Sequence, residues 1–300
     1  MSFFHVIVLA IVQGLAELLP VSSSAHVVVA EKLMGLDPSS PQMTLLLVML
    51  HTGTMFAVIA YFWNQWKQTY FATADAFKRF ALRLVYATAL TGVVGEALIK
   101  LVEHTMFKGA PKAEIEDLFG RLDLVAPALA CAGILILIAG LGEKKQDESQ
   151  TAAASLTRRP TDSVTMRQAG WMGLVQGLCL PFRGFSRSGA TISTGMLTGA
   201  IKQRAERFSF ALAVVITPAA IGREALRLLH ATHAAAATGL PIDLHGTVAM
   251  SLLGAVFAFL AGLVALKWLS NWLENGRWYW FGIYCLVASC VVFYLHNKGY

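Results

Sequence analysis

Six apolar runs, at residues 43–63, 84–102, 124–141, 208–228, 247–266 and 278–296, constrain this chain more than any other feature of its sequence. Each is about long enough to cross a ~30 Å hydrocarbon core as a helix rising ~1.5 Å per residue. Glu96 and Lys100, one turn apart, and Arg223, Glu224 and Arg227, near a helix end, are the main interruptions. A soluble helical bundle would carry polar stripes along such runs. Composition agrees, since only 14% of the residues are charged, against about a quarter in ordinary soluble domains. The expectation is an all-α integral membrane protein with about six transmembrane helices, forming a single membrane domain over residues 1–300.

Two further apolar stretches are broken in the middle. Residues 3–36 are interrupted by Glu17, Pro20, three serines and His26; residues 166–200 by Pro181, Arg183, Gly184 and Arg187. Each half is too short to span but long enough to dip into the bilayer and return. Irregular backbone at that depth is tolerated only against protein or a watery cavity, so two re-entrant helical hairpins predict a polar pocket inside the bundle. The first stretch does not fit a signal peptide, because no Lys or Arg precedes Lys32 and Glu17 sits where the apolar core belongs. Cys131, Cys179, Cys285 and Cys290 lie in apolar segments without metal-ligand spacing, and are expected as reduced packing residues.

The net charge of +6 is distributed as topology rather than as a nucleic-acid surface. If the first hairpin opens outwards, the inner loops hold Lys67, Lys78, Arg79, Lys144, Lys145, Arg158 and Arg159 among others. The outer segments then hold only Lys32, Lys108, Lys112, Arg121 and Lys298. The positive-inside rule therefore puts both termini outside. Three spans separate the hairpins, so the second opens inwards, and the pair is expected to be related as inverted-topology repeats. Val12-Gln13-Gly14-Leu15 recurs as Val175-Gln176-Gly177-Leu178. With one inserted residue, Val21-Ser22-Ser23-Ser24-Ala25 then aligns with Phe185-Ser186-Arg187-Ser188-Gly189. The halves are predicted as 1–142 and 166–300, joined by a polar cytoplasmic linker over 143–165.

The chemistry concentrates in the two breaks. Gln13 and Glu17 are four apart and share a helix face. Pro20 ends that helix, and Ser22, Ser23 and Ser24 suit the start of the next, whose free N–H groups attract anions. His26 falls in that helix's first turn. A carboxylate, hydroxyls and an imidazole about a helix N-terminus suit phosphate-ester chemistry, and an ionisable group at membrane depth is a functional candidate by default. In the second break, Gly184, Ser186, Arg187, Ser188 and Thr191 form a ready phosphate clamp, an arginine fork opening another helix. His51-Thr52-Gly53-Thr54 reads as helix packing at least as readily as substrate contact. Glu96 and Lys100 read as an i,i+4 pair, Arg223 and Arg227 as interfacial snorkelling cations. Trp272, Trp278, Tyr279 and Trp280 read as an interfacial aromatic belt.

These two motifs resemble those of the bacitracin-resistance type of undecaprenyl-diphosphate phosphatases. Gln13, Glu17, Pro20, Ser22, Ser23 and His26 match a Glu/Gln-x-x-x-Glu segment followed by Pro, serines and His. Gly184, Ser186, Arg187, Ser188 and Thr191 match a Pro-Gly-x-Ser-Arg-Ser-x-x-Thr segment, with Arg183 where that family usually has Pro. The resemblance implies hydrolysis of undecaprenyl diphosphate at the periplasmic face of the bacterial inner membrane, recycling the lipid carrier for peptidoglycan synthesis. It implies a divalent cation, Mg²⁺ or Ca²⁺, held by Glu17 with Gln13. The expected catalytic set is Glu17, Ser23, His26 and Arg187, with Gln13, Ser22, Ser24, Gly184, Ser186, Ser188 and Thr191 binding substrate. Ser23, His26 and water stay open as nucleophile. The partner is the lipid diphosphate, not nucleic acid, and a homodimer is left open. The rival from another class is a lipid flippase or secondary transporter built on the same inverted repeat.

Overall fold

The computed structural model describes residues 2–38, 40–106, 118–150, 163–237, 244–273 and 277–300. Among these residues there is no strand, and ten α-helices follow one another. They are α1 (Phe3–Leu18), α2 (Ser23–Leu33), α3 (Pro41–Thr69), α4 (Ala74–Met106) and α5 (Leu122–Gln150). After them come α6 (Met166–Cys179), α7 (Arg187–Leu197), α8 (Lys202–Ala237), α9 (Leu244–Leu273) and α10 (Tyr279–Asn297). Six of them, α3, α4, α5, α8, α9 and α10, are long and apolar enough to cross a membrane. Their outward faces carry large apolar side chains such as Val85 (66% exposed), Val93 (69%) and Val264 (64%), a surface that suits lipid rather than water. The protein is a multi-pass membrane protein.

The two broken stretches fold as two pairs of short helices, α1 with α2 and α6 with α7. Helix α1 packs along α9 as α6 packs along α4, and α5 lies against α10. Glycines stand at corresponding positions of these contacts. A Cβ on Gly14 would stand 2.9 Å from the Ala258 carbonyl oxygen of α9, and one on Gly177 2.8 Å from the Val94 Cβ of α4. Both are closer than real side-chain contacts come, so glycine lets these helices meet.

Three expectations meet corrections or limits here. Trp278 is not part of an exposed belt: it is 2% exposed, and its Nε1 donates to Ser193 Oγ at 3.0 Å. An indole buries where its N–H finds an acceptor, and here it pins α10 to α7; Trp280 alone of the neighbouring pair is largely exposed. Helix α5 continues to Gln150, past the start of the expected linker, of which residues 151–162 lie outside the described residues. Glu96 and Lys100 do pair, at 3.4 Å on an exposed face of α4.

Candidate active site

Helix α1 places Gln13 and Glu17 one above the other, both buried, and Gln13 Nε2 donates to Glu17 Oε2 at 2.9 Å. The helix stops at Leu18 because Pro20 excludes a helical conformation for the residue before it; Leu19 is extended, at φ −81° and ψ 147°. Ser22 follows in the left-handed region, at φ 65°, the only described residue other than glycine with positive φ. That conformation costs ~1–2 kcal/mol for an L-residue, a strain found most often at functional sites. It lets the Ser22 hydroxyl cap α2 by accepting from the Ala25 N–H at 3.4 Å. It also turns Ser23 back towards α1, where Ser23 Oγ donates to Glu17 Oε2 at 2.5 Å.

The second turn is made by other means. Gly184 has φ 103°, and a Cβ there would lie 2.5 Å from the Val125 carbonyl oxygen, so no other residue fits. Ser186 caps α7 by accepting from the Gly189 N–H at 3.2 Å. Arg187, the first residue of α7, sends Nη2 to Glu17 Oε1 at 2.6 Å. Its Nη1 is buried and has no hydrogen-bond partner among the described residues. A buried donor left unsatisfied costs ~1–3 kcal/mol or more, so an acceptor is wanted at that point.

The two turns are also tied to each other. Ser24 Oγ accepts from the Gly184 N–H at 3.3 Å, and Ser188 Oγ donates to the Leu19 carbonyl at 3.3 Å. The serine at the third position of each turn, Ser24 and Ser188, therefore holds the other hairpin's turn. From α3, His51 Nε2 stands 3.2 Å from Glu17 Oε2 while its Nδ1 faces the Leu47 carbonyl at 2.8 Å. Both ring nitrogens face acceptor oxygens, and the imidazole bridges α3 to the Glu17 carboxylate. Glu17 thus gathers an amide, a hydroxyl, an imidazole and a guanidinium from three segments of chain.

A cavity of about 440 Å³ opens over this carboxylate. Glu17, Ser22, Ser23, Ser24, His51, Ser186, Arg187 and Ser188 line it, with Leu47, Val48, Met55, Ile99, Phe182 and Ile216 supplying apolar wall. The heads of α2 and α7 both border it, and two helix N-termini offer N–H groups and positive partial charge to an anion.

Not every expected site residue borders this space. His26 Nε2 meets the Tyr284 hydroxyl at 2.6 Å and its Nδ1 the Ser22 carbonyl at 2.8 Å, with the two rings stacked at 5.6 Å. The imidazole therefore lies towards α10 and is not among the lining side chains. Thr191 is buried between α7 and α8, its Oγ1 2.5 Å from Ser209 Oγ. Gln13 is buried behind Glu17, and Gly184 contributes only its turn. Three residues given lesser weight in the sequence belong to the cavity: His51, Arg183 and Arg223. Arg223 is exposed and borders the cavity as well, and Arg227 donates to Thr44 Oγ1 at 3.2 Å rather than pointing outwards. The signal for His51 was present, since an ionisable group inside an apolar run is rarely decorative.

Among the described residues no three acidic, histidine or cysteine side chains gather as a metal cage. The oxygens that fit a hard cation are the Glu17 carboxylate and Gln13 Oε1, which is buried without a hydrogen-bond partner among the described residues. Both are oxygens of the kind a Mg²⁺- or Ca²⁺-type ion takes, but only the Glu17 carboxylate borders the cavity, with Gln13 behind it.

Comparison with known proteins finds one family and its members. The family model described as bacitracin resistance protein BacA matches residues 6–291. An undecaprenyl-diphosphatase 2 of Acinetobacter baylyi is 56% identical over 97% of this chain and 97% of its own length. An undecaprenyl-diphosphatase 2 of Burkholderia thailandensis is 33% identical, covering 96% of this chain and 95% of the relative. An undecaprenyl-diphosphatase 1 of Burkholderia pseudomallei is likewise 33% identical, with the same coverage.

Proposed function

The chain belongs to the bacitracin resistance protein BacA family, and we propose that it is an enzyme hydrolysing undecaprenyl diphosphate to undecaprenyl phosphate and inorganic phosphate. Its relatives' names favour this over a transporter with the same repeat. In the cell the reaction would return the lipid carrier to cell-wall synthesis. The observation that carries the reading is Arg187. One arm of its fork is fixed on Glu17, and the other is buried, unsatisfied and beside the heads of two helices.

The terminal phosphoryl group sits where Arg187 Nη1 and the N–H groups at the heads of α2 and α7 converge. These donors are set before the reaction and favour the charge that builds on the transferring group. Ser23 Oγ already donates to Glu17 Oε2, so the carboxylate takes the hydroxyl proton as Oγ attacks phosphorus. The Oγ–P bond forms, the bridging P–O bond breaks, and the electron pair leaves on undecaprenyl phosphate. Glu17 then returns that proton to the departing Ser23 Oγ as water attacks the phosphoserine, the Oγ–P bond breaks, and the water's own proton leaves by way of the freed carboxylate with the phosphate. His51 holds the carboxylate in place. His26, bound to the Ser22 carbonyl, keeps the strained turn in register and so aims Ser23. A divalent cation on Glu17 would add charge neutralisation for the phosphate oxygens.

The topology follows the same reading. The turns exchange hydrogen bonds, and α1 on α9 mirrors α6 on α4. Both support two oppositely entering hairpins, with the cavity facing the periplasm of the inner membrane. Cysteines at Asp37, between α2 and α3, and at Ile201, between α7 and α8, would then react with an impermeant thiol reagent from opposite sides once the native cysteines are replaced. Labelling of both from one side contradicts the inverted arrangement.

The function itself is tested by phosphate release from the detergent-purified protein given an isoprenoid diphosphate. Turnover without a sealed membrane is expected. A folded protein that binds the lipid and releases no phosphate contradicts the assignment and favours transport.

A further inference from the structure

Helix α10 is braced against α5 and reaches the first chain break from outside the cavity. A Cβ on Gly133 would stand 3.0 Å from the Gly282 carbonyl oxygen, so α5 and α10 meet almost backbone to backbone. Ser289 Oγ adds a bond to the Ala126 carbonyl at 2.8 Å. From this platform two consecutive residues touch the turn between α1 and α2. Cys285, fully buried, donates its thiol to the Pro20 carbonyl at 3.5 Å. Tyr284 Oη meets His26 Nε2 at 2.6 Å, and His26 Nδ1 meets the Ser22 carbonyl at 2.8 Å. Helix α10 therefore addresses the carbonyls on either side of Val21, one directly and one through an imidazole.

The direction of the hydrogen bonds follows from the last of them. A carbonyl oxygen only accepts, so His26 Nδ1 carries a proton. In the neutral ring Nε2 is then the acceptor, and the Tyr284 hydroxyl is the donor. Donors in series strengthen one another, and turning the imidazole over would give up both bonds. Neither ring borders the cavity. What the series reaches is Ser22, the one described residue other than glycine with positive φ, at 65°. Such a conformation persists only where its surroundings over-determine it. Ser23 follows directly, with its Oγ on Glu17.

We infer that Tyr284 is a positioning residue for the reaction at Ser23, holding the Ser22 turn through His26 without touching substrate. The inference rests on the diphosphatase reading and on the role proposed there for Ser23. It accounts for a histidine of the first motif that faces away from the cavity, since the ring transmits support from α10. Tyr284 is itself exposed on α10, so removing its hydroxyl alone leaves the packing intact.

The test compares Tyr284→Phe, His26→Ala and the double variant in the purified full-length protein. With an isoprenoid diphosphate, Tyr284→Phe should lower kcat about fivefold, the loss of one hydrogen bond, and leave KM within about twofold. His26→Ala should cost at least as much. Adding Tyr284→Phe to it should change kcat by less than about twofold, because the hydroxyl acts only through the ring. A second readout needs no turnover. NMR of isotope-labelled histidine nitrogens, with the His26 signals identified by their absence from His26→Ala, should show a neutral ring protonated at Nδ1. In Tyr284→Phe the Nε2 resonance should move as its donor is lost. The inference is overturned if Tyr284→Phe keeps kcat within about twofold of wild type or raises KM instead, or if the two losses multiply in the double variant. A His26 ring protonated at Nε2 alone, or an Nε2 resonance indifferent to Tyr284→Phe, overturns it equally. Should the wild-type protein release no phosphate, the diphosphatase reading fails and this role with it, while the NMR comparison still shows whether Tyr284 holds His26.

Discussion

At the head of α2 stand Ser22, Ser23 and Ser24; at the head of α7, in the corresponding places, stand Ser186, Arg187 and Ser188. Both first serines cap their helices, and the serines at both third positions bind the opposite turn. The middle residues differ, and both converge on Glu17, Ser23 on Oε2 and Arg187 on Oε1. The shared positions carry architecture, and in the proposed mechanism the one that differs carries chemistry, a nucleophile from one half and a cationic fork from the other. The strain is divided as unevenly. The second turn assigns its left-handed residue to Gly184, which adopts it without steric cost, whereas the first imposes it on Ser22. The first turn is the more strained, and in the proposed mechanism it delivers the attacking group.

The comparison is broken most severely at the residue both turns share. Glu17→Gln should lower kcat/KM at least ~100-fold with the protein folded and inserted, since it removes the base and the anchor of Arg187 together. Activity within about twofold of wild type in a purified-enzyme assay would reduce Glu17 to scaffolding. On the second turn, Arg187→Lys keeps the charge and loses the fork, so kcat should fall at least ~10-fold, about 1.4 kcal/mol of transition-state stabilisation. A kcat near wild type would mean that charge alone suffices there. His51 supports the carboxylate from α3, outside either turn. His51→Leu should cost about fivefold in kcat, roughly 1 kcal/mol, and steady-state kinetics showing no loss would remove it from the site.

The smallest effects test the symmetry itself. Ser24→Ala and Ser188→Ala each delete one bond between the turns, and each should lower unfolding free energy by about 1 kcal/mol in detergent. If one variant is neutral and the other costly, the turns do not hold each other reciprocally.

Much of this arrangement was legible in the chain. The apolar runs located all six spans, because length and hydropathy decide what lipid tolerates, but α4 begins ten residues before its run, at Ala74, where charged residues hide the helix from hydropathy. The i,i+4 spacing of Gln13 and Glu17 and the break at Pro20 announced a buried polar helix end. What stayed hidden depends on partners brought from elsewhere. His51 lies a full helix away from Glu17, and nothing local says that α3 turns its imidazole towards α1. His26 sits in the expected turn, yet its ring is drawn to Tyr284, far along the chain on α10. Trp278 looked interfacial until Ser193 supplied an acceptor for its N–H. Arg223 is exposed, as a snorkelling cation is, and only the packing of α8 against α3 shows that it borders the cavity as well.

The central claim is that the phosphoryl group passes through a protein hydroxyl held by Glu17, and the stereochemical course at phosphorus tests it most directly. A substrate made chiral at its terminal phosphorus with sulfur and an oxygen isotope, hydrolysed in isotopically distinct water, reports whether one or two in-line displacements occurred. Transfer to Ser23 followed by hydrolysis predicts net retention of configuration. Net inversion, the mark of direct attack by water, would contradict it.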